Sequence, residues 1–212
     1  MRLNTFITLL SLVLLNSGCT KPPEVSETNS KPLAPWNVPL QKKVQGNTLF
    51  SIKTSDAEFI IKPLYEYEVS ARVVGKKKYS SFNWQGKVAP FDLALAWEEL
   101  SKPHYVKFVS FTQKNRWYYF SLKKNAPFDV DFVYKRSSNN HIIPKNENIH
   151  NVLKKINKND IIKLTGYLVR LDGNWKGSPV WWVSSTSRKD KGDGSCEVIY
   201  VTGIQKEDKI YQ

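Results

Sequence analysis

Cys196 and His141 are the side chains of this sequence best suited to covalent chemistry. A thiol beside an imidazole can lose its proton and attack an acyl group, which is the chemistry of thiol hydrolases and acyltransferases. The sequence holds only two cysteines and three histidines, so few other pairs could do this. Cys196 also begins the apolar stretch CEVIYV, where a thiol that faces the core is an ordinary packing residue. We expect burial, and a Cys196–His141 catalytic site is the alternative.

A second set of residues is suited to binding, namely Trp181, Trp182, Asn140 and His141. Neighbouring residues of a strand point to opposite faces, so one of the two tryptophans should be exposed, where its ring could stack on a sugar or contact lipid. Asn140 and His141 lie in the polar stretch SSNNHIIP, which is interpreted as a loop. Its amides and imidazole could bind a sugar or orient a water, or could simply bond their own backbone.

No cofactor or metal is expected from the motifs. Asp190, Asp193 and Glu197 do not have the spacing of the EF-hand loop. Two cysteines and three scattered histidines do not form a zinc pattern. Neither a glycine-rich phosphate loop nor a G-x-S-x-G elbow is present. The sequence thus lacks an assembled catalytic set, which favours a non-enzymatic protein.

Residues 1–18 predict a signal peptide. Arg2 precedes the mostly apolar residues 6–15, a run too short for a transmembrane helix and typical of a signal-peptide core. The run leads through Asn-Ser-Gly to Cys19, and small residues before a cysteine resemble the lipobox of bacterial lipoproteins. The resemblance implies cleavage before Cys19 and acylation of its thiol. An ordinary secretory signal and an uncleaved anchor are the alternatives.

Lipidation of Cys19 would remove the one disulfide partner that Cys196 has within the chain. The Cys196 side chain is therefore expected to be a thiol and not half of a disulfide within the chain. The residue after Cys19 is Thr20 rather than aspartate. By resemblance to enterobacterial sorting, this implies an anchor in the outer membrane with the protein facing the periplasm.

The chain is strongly basic, with 32 Lys and Arg against 19 Asp and Glu and a formal net charge of +13. This charge suits an anionic envelope polymer or anionic lipid, with an affinity that weakens as salt is added. A partner protein is a further option, and nucleic acid is not expected to meet a lipid-anchored envelope protein. Solvated lysines with no specific partner are the alternative interpretation.

Two regions follow the signal peptide. Residues 19–46 are rich in proline and polar residues and predict a semi-flexible tether without regular structure. Residues 47–212 are dense in apolar and aromatic residues and have the length of one domain. The predicted class of this domain is α+β, with two short helices and either a mainly antiparallel β sheet or a small OB-like barrel.

Hydrophobic periodicity predicts the elements of this domain. Residues 65–73 alternate between apolar and polar types, which is typical of a strand with one buried face. The predicted helices are residues 90–100 and 148–156. The predicted strands are residues 59–61, 65–73, 105–112, 116–122, 161–171, 180–184 and 197–203, with a hairpin loop at 113–115, a bend at Gly166, and pairing of the last two strands around a Gly192–Gly194 turn.

Five motifs together resemble a family of uncharacterised bacterial exported proteins. The motifs are DLALAW at 92–97, RWY at 116–118, SNNHIIP at 138–144, LTGYLV at 164–169, and the spaced residues Ser184, Ser185, Arg188, Asp190, Gly192, Gly194, Cys196 and Glu197. The resemblance extends over residues 67–201. It implies a single folded unit and carries no catalytic role.

The leading hypothesis is therefore a non-enzymatic, lipid-anchored envelope protein that binds an envelope component or a partner protein. An envelope hydrolase or acyltransferase that uses Cys196 and His141 is the second hypothesis. A nucleic-acid-binding barrel is the third.

Overall fold

The computed structural model describes residues 21–28, 31–46, 48–187 and 195–212. About half of the residues are in strands and 15% in helices, so the fold is mainly β. Within the described ranges, no helix is both long and apolar enough to cross a membrane. The predicted signal peptide, Cys19 and the predicted Gly192–Gly194 turn lie outside these ranges.

Twelve strands and four α-helices are found in the described part of the chain. The strands are β1 (Glu27–Thr28), β2 (Leu40–Lys43), β3 (Phe50–Lys53), β4 (Glu58–Lys78), β5 (Phe91–Ala96), β6 (Val109–Lys114), β7 (Trp117–Leu122), β8 (Ser137–Pro144), β9 (Ile161–Trp175), β10 (Ser178–Val183), β11 (Glu197–Lys206) and β12 (Lys209–Tyr211). The helices are α1 (Trp84–Val88), α2 (Pro103–Val106), α3 (Val130–Tyr134) and α4 (Glu147–Lys155). The prediction of only two helices is therefore wrong.

Five strands pair in a closed circle within a large mixed sheet. β4 pairs with β5, β5 with β8, β8 with β11, β11 with β9, and β9 with β4. All of these pairs are antiparallel except β8 with β11. β6 and β7 form a separate hairpin. The expectation of a mainly antiparallel sheet is confirmed, with one parallel pair added.

The largest apolar cluster lies inside this circle of strands. Tyr67, Val69, Ala71 and Val73 of β4 all contribute to it, so the alternation predicted for residues 65–73 is confirmed. Helix α4 is also confirmed, and it packs Ile149, Val152 and Leu153 into the same cluster. Its Asn146 N-cap side chain accepts a hydrogen bond from the backbone N–H of Ile149. Each large apolar side chain buried here contributes about 1.5–3 kcal/mol.

The helix predicted at residues 90–100 is wrong. Phe91–Ala96 form strand β5, and Glu98–Ser101 form a 3-10 turn. All six residues of β5 are buried, because β4 and β8 flank it and side chains cover both of its faces. A short continuous apolar run is compatible with a helix and with a strand that is buried on both faces. Pairing with β4 and β8 stabilises the strand here.

The loop predicted for the polar stretch SSNNHIIP is also wrong. These residues form the central strand β8, and the first seven are buried. Its backbone groups pair with β5 on one side and β11 on the other. Polar side chains are tolerated in such a strand when hydrogen bonds satisfy them, as shown below for Asn139, Asn140 and His141.

One further strand prediction is only partly right, and one strand pairing is wrong. Residues 105–112 begin in helix α2 and enter strand β6 only at Val109. The predicted hairpin with residues 116–122 is confirmed. The predicted pairing of residues 180–184 with 197–203 is wrong, because β10 pairs with β9. Among the described residues, the backbone N–H of Ser185 still donates to the carbonyl of Cys196.

The segment predicted as a tether contains regular structure. β1 pairs with the last strand, β12, and β2 pairs with β4. The side chain of Asn148 also bonds both the N–H and the carbonyl of Glu24. Proline is compatible with extended backbone at the edge of a sheet, where its missing N–H is not needed for pairing. Residues 27–28 and 40–43 are therefore part of the folded unit.

Candidate functional site

The parallel register of β8 and β11 brings two predicted site residues, Cys196 and His141, to one face of the sheet together with Asn139. His141 lies opposite Val198, and Asn140 lies opposite Glu197. Cys196 directly precedes β11, which places it beside Asn139, and the Asn139 Nδ2 to Cys196 Sγ distance is 3.9 Å. Side chains alternate along a strand, so Cys196, Asn139 and His141 project to the same side. This juxtaposition depends on a strand pair that is distant in sequence.

An ion cluster lies on that face, centred on a carboxylate to which the sequence analysis assigned no role. Asp92 of β5 is fully buried. Its Oδ1 is 2.9 Å from His141 Nδ1 and 2.8 Å from Arg116 Nη1. A carboxylate on Nδ1 fixes the orientation of an imidazole, so that Nε2 is the nitrogen left for acid–base work. Asp92 therefore positions both the imidazole and the guanidinium.

Arg116 enters this cluster from the tip of the β6–β7 hairpin. Its backbone is in the left-handed region, with φ of 70°, and Asn115 before it has φ of 53°. This is the conformation of a two-residue hairpin turn, which glycine would adopt more easily. Arg116 Nη1 also donates to the carbonyl of Ala89, and the Arg116 carbonyl accepts from Asn139 Nδ2. These bonds hold a non-glycine residue in a costly conformation.

Aromatic rings enclose the ion cluster. The guanidinium carbon of Arg116 lies 3.7 Å from the ring centroid of Tyr79 and 5.6 Å from that of Trp182. The His141 and Trp182 ring centroids are 4.5 Å apart. Burial and the charge of the Asp92 carboxylate raise the pKa of Tyr79 to about 12. The phenol of Tyr79 therefore stays neutral at physiological pH.

Cys196 is a half-buried thiol in a polar setting. The Asn139 side chain beside it accepts a hydrogen bond from Gln113 Nε2 at 2.8 Å. Burial raises the pKa of the nearby Tyr118 to about 12, with the charge of Glu197 acting in the same direction. The thiol is thus neither packed into the apolar core nor fully open, and its surroundings are amides and a phenol.

Two atoms of the ion cluster have no hydrogen-bond partner among the described residues. They are Asp92 Oδ2 and Arg116 Nη2, and both are buried. Buried polar groups in native proteins are almost always satisfied by protein or by ordered water. The cluster therefore holds one acceptor and one donor that a water or a ligand group could complete.

Asn140 is placed inside the circle of strands rather than at the ion cluster. Its side chain is fully buried. The amide Nδ2 donates to the carbonyls of Leu93 and Ser138 and to Ser138 Oγ. These bonds use its donors internally, so Asn140 supports β5 and β8 instead of offering groups to a ligand.

The two tryptophans of β10 point to opposite faces, as predicted. Trp182 packs against a second group of buried apolar residues, which includes Phe59, Ile61 and Val169, and Trp181 is 62% exposed. Trp181 pairs with Asp172 of β9, and Arg170 Cζ lies 5.7 Å from its ring centroid. Arg170 and Asp172 are joined by a forked pair, with Nε to Oδ2 at 2.8 Å and Nη2 to Oδ1 at 2.7 Å. An exposed ring beside a fixed planar polar pair is suited to ligand contact.

Three residues of the ion cluster were missed by sequence reasoning. Asp92 is a single carboxylate within the apolar run FDLALA, and a lone charge in a buried run is the signal that could have indicated it. Arg116 belongs to the RWY motif, which carried no role, and Tyr79 gave no signal, because the hairpin and a loop bring these residues from distant parts of the chain. His141 and Trp182 are the predicted site residues that the structure places at the observed cluster.

A metal centre finds no support in the described ranges, which contain no group of three or more His, Cys, Asp and Glu side chains arranged to hold an ion.

Comparison of the chain with protein-family models, curated proteins and solved structures finds no match. The resemblances noted in the sequence therefore stay predictions, and any functional conclusion depends on the residues and their geometry.

Proposed function

We propose that this protein is lipid-anchored in the cell envelope through Cys19, at the outer membrane and facing the periplasm, and that its domain is a non-enzymatic module that binds an envelope saccharide. The signal-peptide and lipobox pattern of residues 1–19 supports the anchor. The basic charge of the chain supports a partner among the anionic polymers of the envelope.

The proposed domain type is an OB-like barrel. Five strands that pair in a circle, one parallel pair between β8 and β11, and a helix between β8 and β9 support this proposal. OB barrels bind oligosaccharides and oligonucleotides with the face of their second and third strands and with the loops between strands one and two and strands four and five. In this arrangement, β10 with Trp181 belongs to the connection between the fourth and fifth strands.

The observation that carries the saccharide proposal is the exposed Trp181 ring beside the Arg170–Asp172 pair. Aromatic faces stack on the apolar faces of sugar rings, and fixed polar groups beside them can bond hydroxyls. The carboxylate of Asp172 offsets the charge of Arg170, which favours a hydroxyl-bearing ligand over the phosphates of a nucleic acid.

Replacing Trp181 by alanine is expected to weaken binding to purified peptidoglycan sacculi or to lipopolysaccharide roughly tenfold, because the ligand loses an aromatic face. The measurement is a pull-down of the purified protein at several protein concentrations and across a salt series. Trp36→Ala is the matched control, since Trp36 is also exposed, at 51%, but lies elsewhere. Equal binding by the two variants, or no binding by the wild type to either polymer, contradicts the proposal.

An envelope hydrolase or acyltransferase is the second candidate function. Its specific support is that Cys196 and His141 project from the same face of adjacent strands and that Asp92 holds the imidazole. In such a reaction, His141 Nε2 takes the thiol proton and the thiolate attacks a carbonyl carbon. The acyl group moves to sulfur, and His141 returns the proton to the leaving group.

Thiol alkylation separates the two candidates. The binding proposal expects the Cys196 thiol of the folded protein to react with iodoacetamide at pH 7 no faster than in the unfolded chain. Faster reaction in the folded state, lost in His141→Ala and retained in His150→Ala, is the result the catalytic alternative requires. A thiol that reacts only after denaturation eliminates the catalytic alternative, since an activated nucleophile must be accessible.

A further inference from the structure

The segment that follows the predicted lipidation site is attached to helix α4. Asn148 Oδ1 accepts from the N–H of Glu24 at 2.7 Å, and Asn148 Nδ2 donates to the carbonyl of Glu24 at 2.9 Å. Asn151 Nδ2 donates to the carbonyl of Lys21. Cys19 is two residues before Lys21, and two residues extend at most about 7 Å. A lipid on Cys19 would therefore hold α4 close to the membrane, with no long spacer between them.

Five lysines surround the C-terminal turn of the same helix, and we name them the α4 lysine cluster. Lys76 Nζ donates to the carbonyls of Lys154 and Ile156, and Lys206 Nζ donates to the carbonyl of Lys155. The side chains of Lys154 and Lys155 are exposed. The members of the α4 lysine cluster are Lys76, Lys78, Lys154, Lys155 and Lys206, and Lys78 belongs to it because its charge acts on Lys76 and on His150 of the helix.

The lysines of the α4 lysine cluster lie close enough to lower one another's pKa values. Burial lowers the pKa of Lys76, and the charges of Lys206 and Lys78 act in the same direction. The carboxylate of Asp160 opposes this shift and forms an ion pair with Lys206. Burial and then the charges of Lys154 and Lys78 likewise lower the pKa of the half-buried His150. The positive charge is thus only partly neutralised by the protein.

We propose that the α4 lysine cluster faces the bilayer to which Cys19 is anchored and binds its anionic headgroups. This inference rests on the proposed lipid anchor. The short chain between Cys19 and Lys21 limits what else can lie against this end of the domain. The charge of the α4 lysine cluster complements phosphate headgroups, which attract basic residues within a Debye length of the surface.

This orientation places the proposed saccharide site away from the membrane. β9 begins at Ile161, close to the end of α4, and Trp181 pairs with Asp172, eleven residues further along that strand. At about 3.3 Å per residue the separation along the strand is up to roughly 36 Å. The membrane-facing surface and the Trp181 surface therefore lie at different ends of β9, and both could be occupied together.

Lysine footprinting of the wild-type protein tests the orientation. The lipidated protein is reconstituted in vesicles of phosphatidylcholine with phosphatidylglycerol, acetylated briefly, and mapped by mass spectrometry, with the protein in detergent as reference. Lys154 and Lys155 are expected to be labelled several-fold less in vesicles. The exposed Lys123, Lys124 and Lys176 are the internal controls and should be labelled equally in both. Equal labelling of Lys154 and Lys155 in vesicles and detergent overturns the inference.

A second measurement separates the lysine cluster from the anchor. The unlipidated Cys19→Ala protein should sediment with the same vesicles at low salt, and Lys154→Glu with Lys155→Glu should weaken this by at least about fivefold. Lys123→Glu with Lys124→Glu is the matched control. Unchanged sedimentation of the Lys154 and Lys155 variant overturns the inference. If the wild-type protein carries no acyl group by mass and washes from membranes, the lipid anchor is refuted. The α4 lysine cluster is tested separately, because its vesicle binding is measured with the unlipidated protein.

Discussion

Asp92→Asn is expected to lower the free energy of unfolding by about 3 kcal/mol, measured by urea denaturation. The carboxylate of Asp92 is fully buried and bonds both Arg116 and His141. An amide at this position keeps the shape but leaves the guanidinium charge without its counter-ion. Loss of one partner of a buried pair typically costs about 3–5 kcal/mol. The lower end applies here, because the Arg116 side chain is 18% exposed and water screens part of its charge.

The control for Asp92 is Asp172, which also forms a close pair with an arginine. Asp172 pairs with Arg170 with similar distances, but both side chains are nearly half exposed. Asp172→Asn is therefore expected to cost less than about 1 kcal/mol. Adding Arg116→Met to Asp92→Asn should recover part of the lost stability, since it removes the unpaired charge. If Asp92→Asn costs no more than Asp172→Asn, the ion cluster does not support the fold.

Gly166→Ala is expected to lower the free energy of unfolding by at least about 3 kcal/mol, because a Cβ there overpacks the backbone. Gly166 pairs with Tyr67 of β4 and with Val201 of β11. A Cβ at this position would lie 2.0 Å from the carbonyl oxygen of Tyr200. A backbone atom held in a strand cannot rotate away as a side chain can, so β9 and β11 would have to separate. Thermal or urea unfolding measures the loss.

Gly177→Ala is the matched control for Gly166. Nothing lies within 4 Å of a Cβ at Gly177, although its φ of 85° disfavours alanine. The expected cost is therefore only the conformational one, about 1–2 kcal/mol. Equal costs at the two glycines would show that β9 and β11 do not approach as closely as described. That result would also remove the support that the circle of strands gives to an OB-like barrel.

The two substitutions test different parts of the functional argument. Asp92→Asn acts on the ion cluster that holds His141, whereas Gly166→Ala acts on the strand pair that closes the circle. Trp181 lies in β10, outside both. A saccharide site at Trp181 predicts that Asp92→Asn weakens stability without changing sacculus binding by the folded protein. A catalytic site at Cys196 predicts that the same substitution slows thiol alkylation.

Local pattern was sufficient for the elements that have one buried face. The alternation of residues 65–73 is visible in the sequence, and β4 buries the apolar residues from Tyr67 to Val73 because one face of that strand is covered by the core. Helix α4 was equally predictable from its apolar spacing and from the lysines at its C-terminal end. In both elements the period of the apolar residues matches the backbone period, and only one conformation buries them.

Local pattern failed where an element is buried on both faces. β5 has no polar face to reveal its period, and β8 carries polar residues that look like a loop. Pairing with neighbouring strands and hydrogen bonds between side chains stabilise these conformations. Such interactions join residues that are far apart in sequence. Propensity and composition contain no information about them.

The sequence alone determined the basic charge, the one-sided strand and helix patterns, and the opposite orientations of the adjacent Trp181 and Trp182, whereas the export signal is a prediction from it. These properties follow from residue type and spacing within a few positions. Only the tertiary structure decided that Asp92, Arg116 and His141 meet, that Cys196 lies beside Asn139, and that the segment after Cys19 is attached to α4. The physical reason is that strand register and loop placement bring distant residues together, and the energies that select a register come from the packing of the whole sheet.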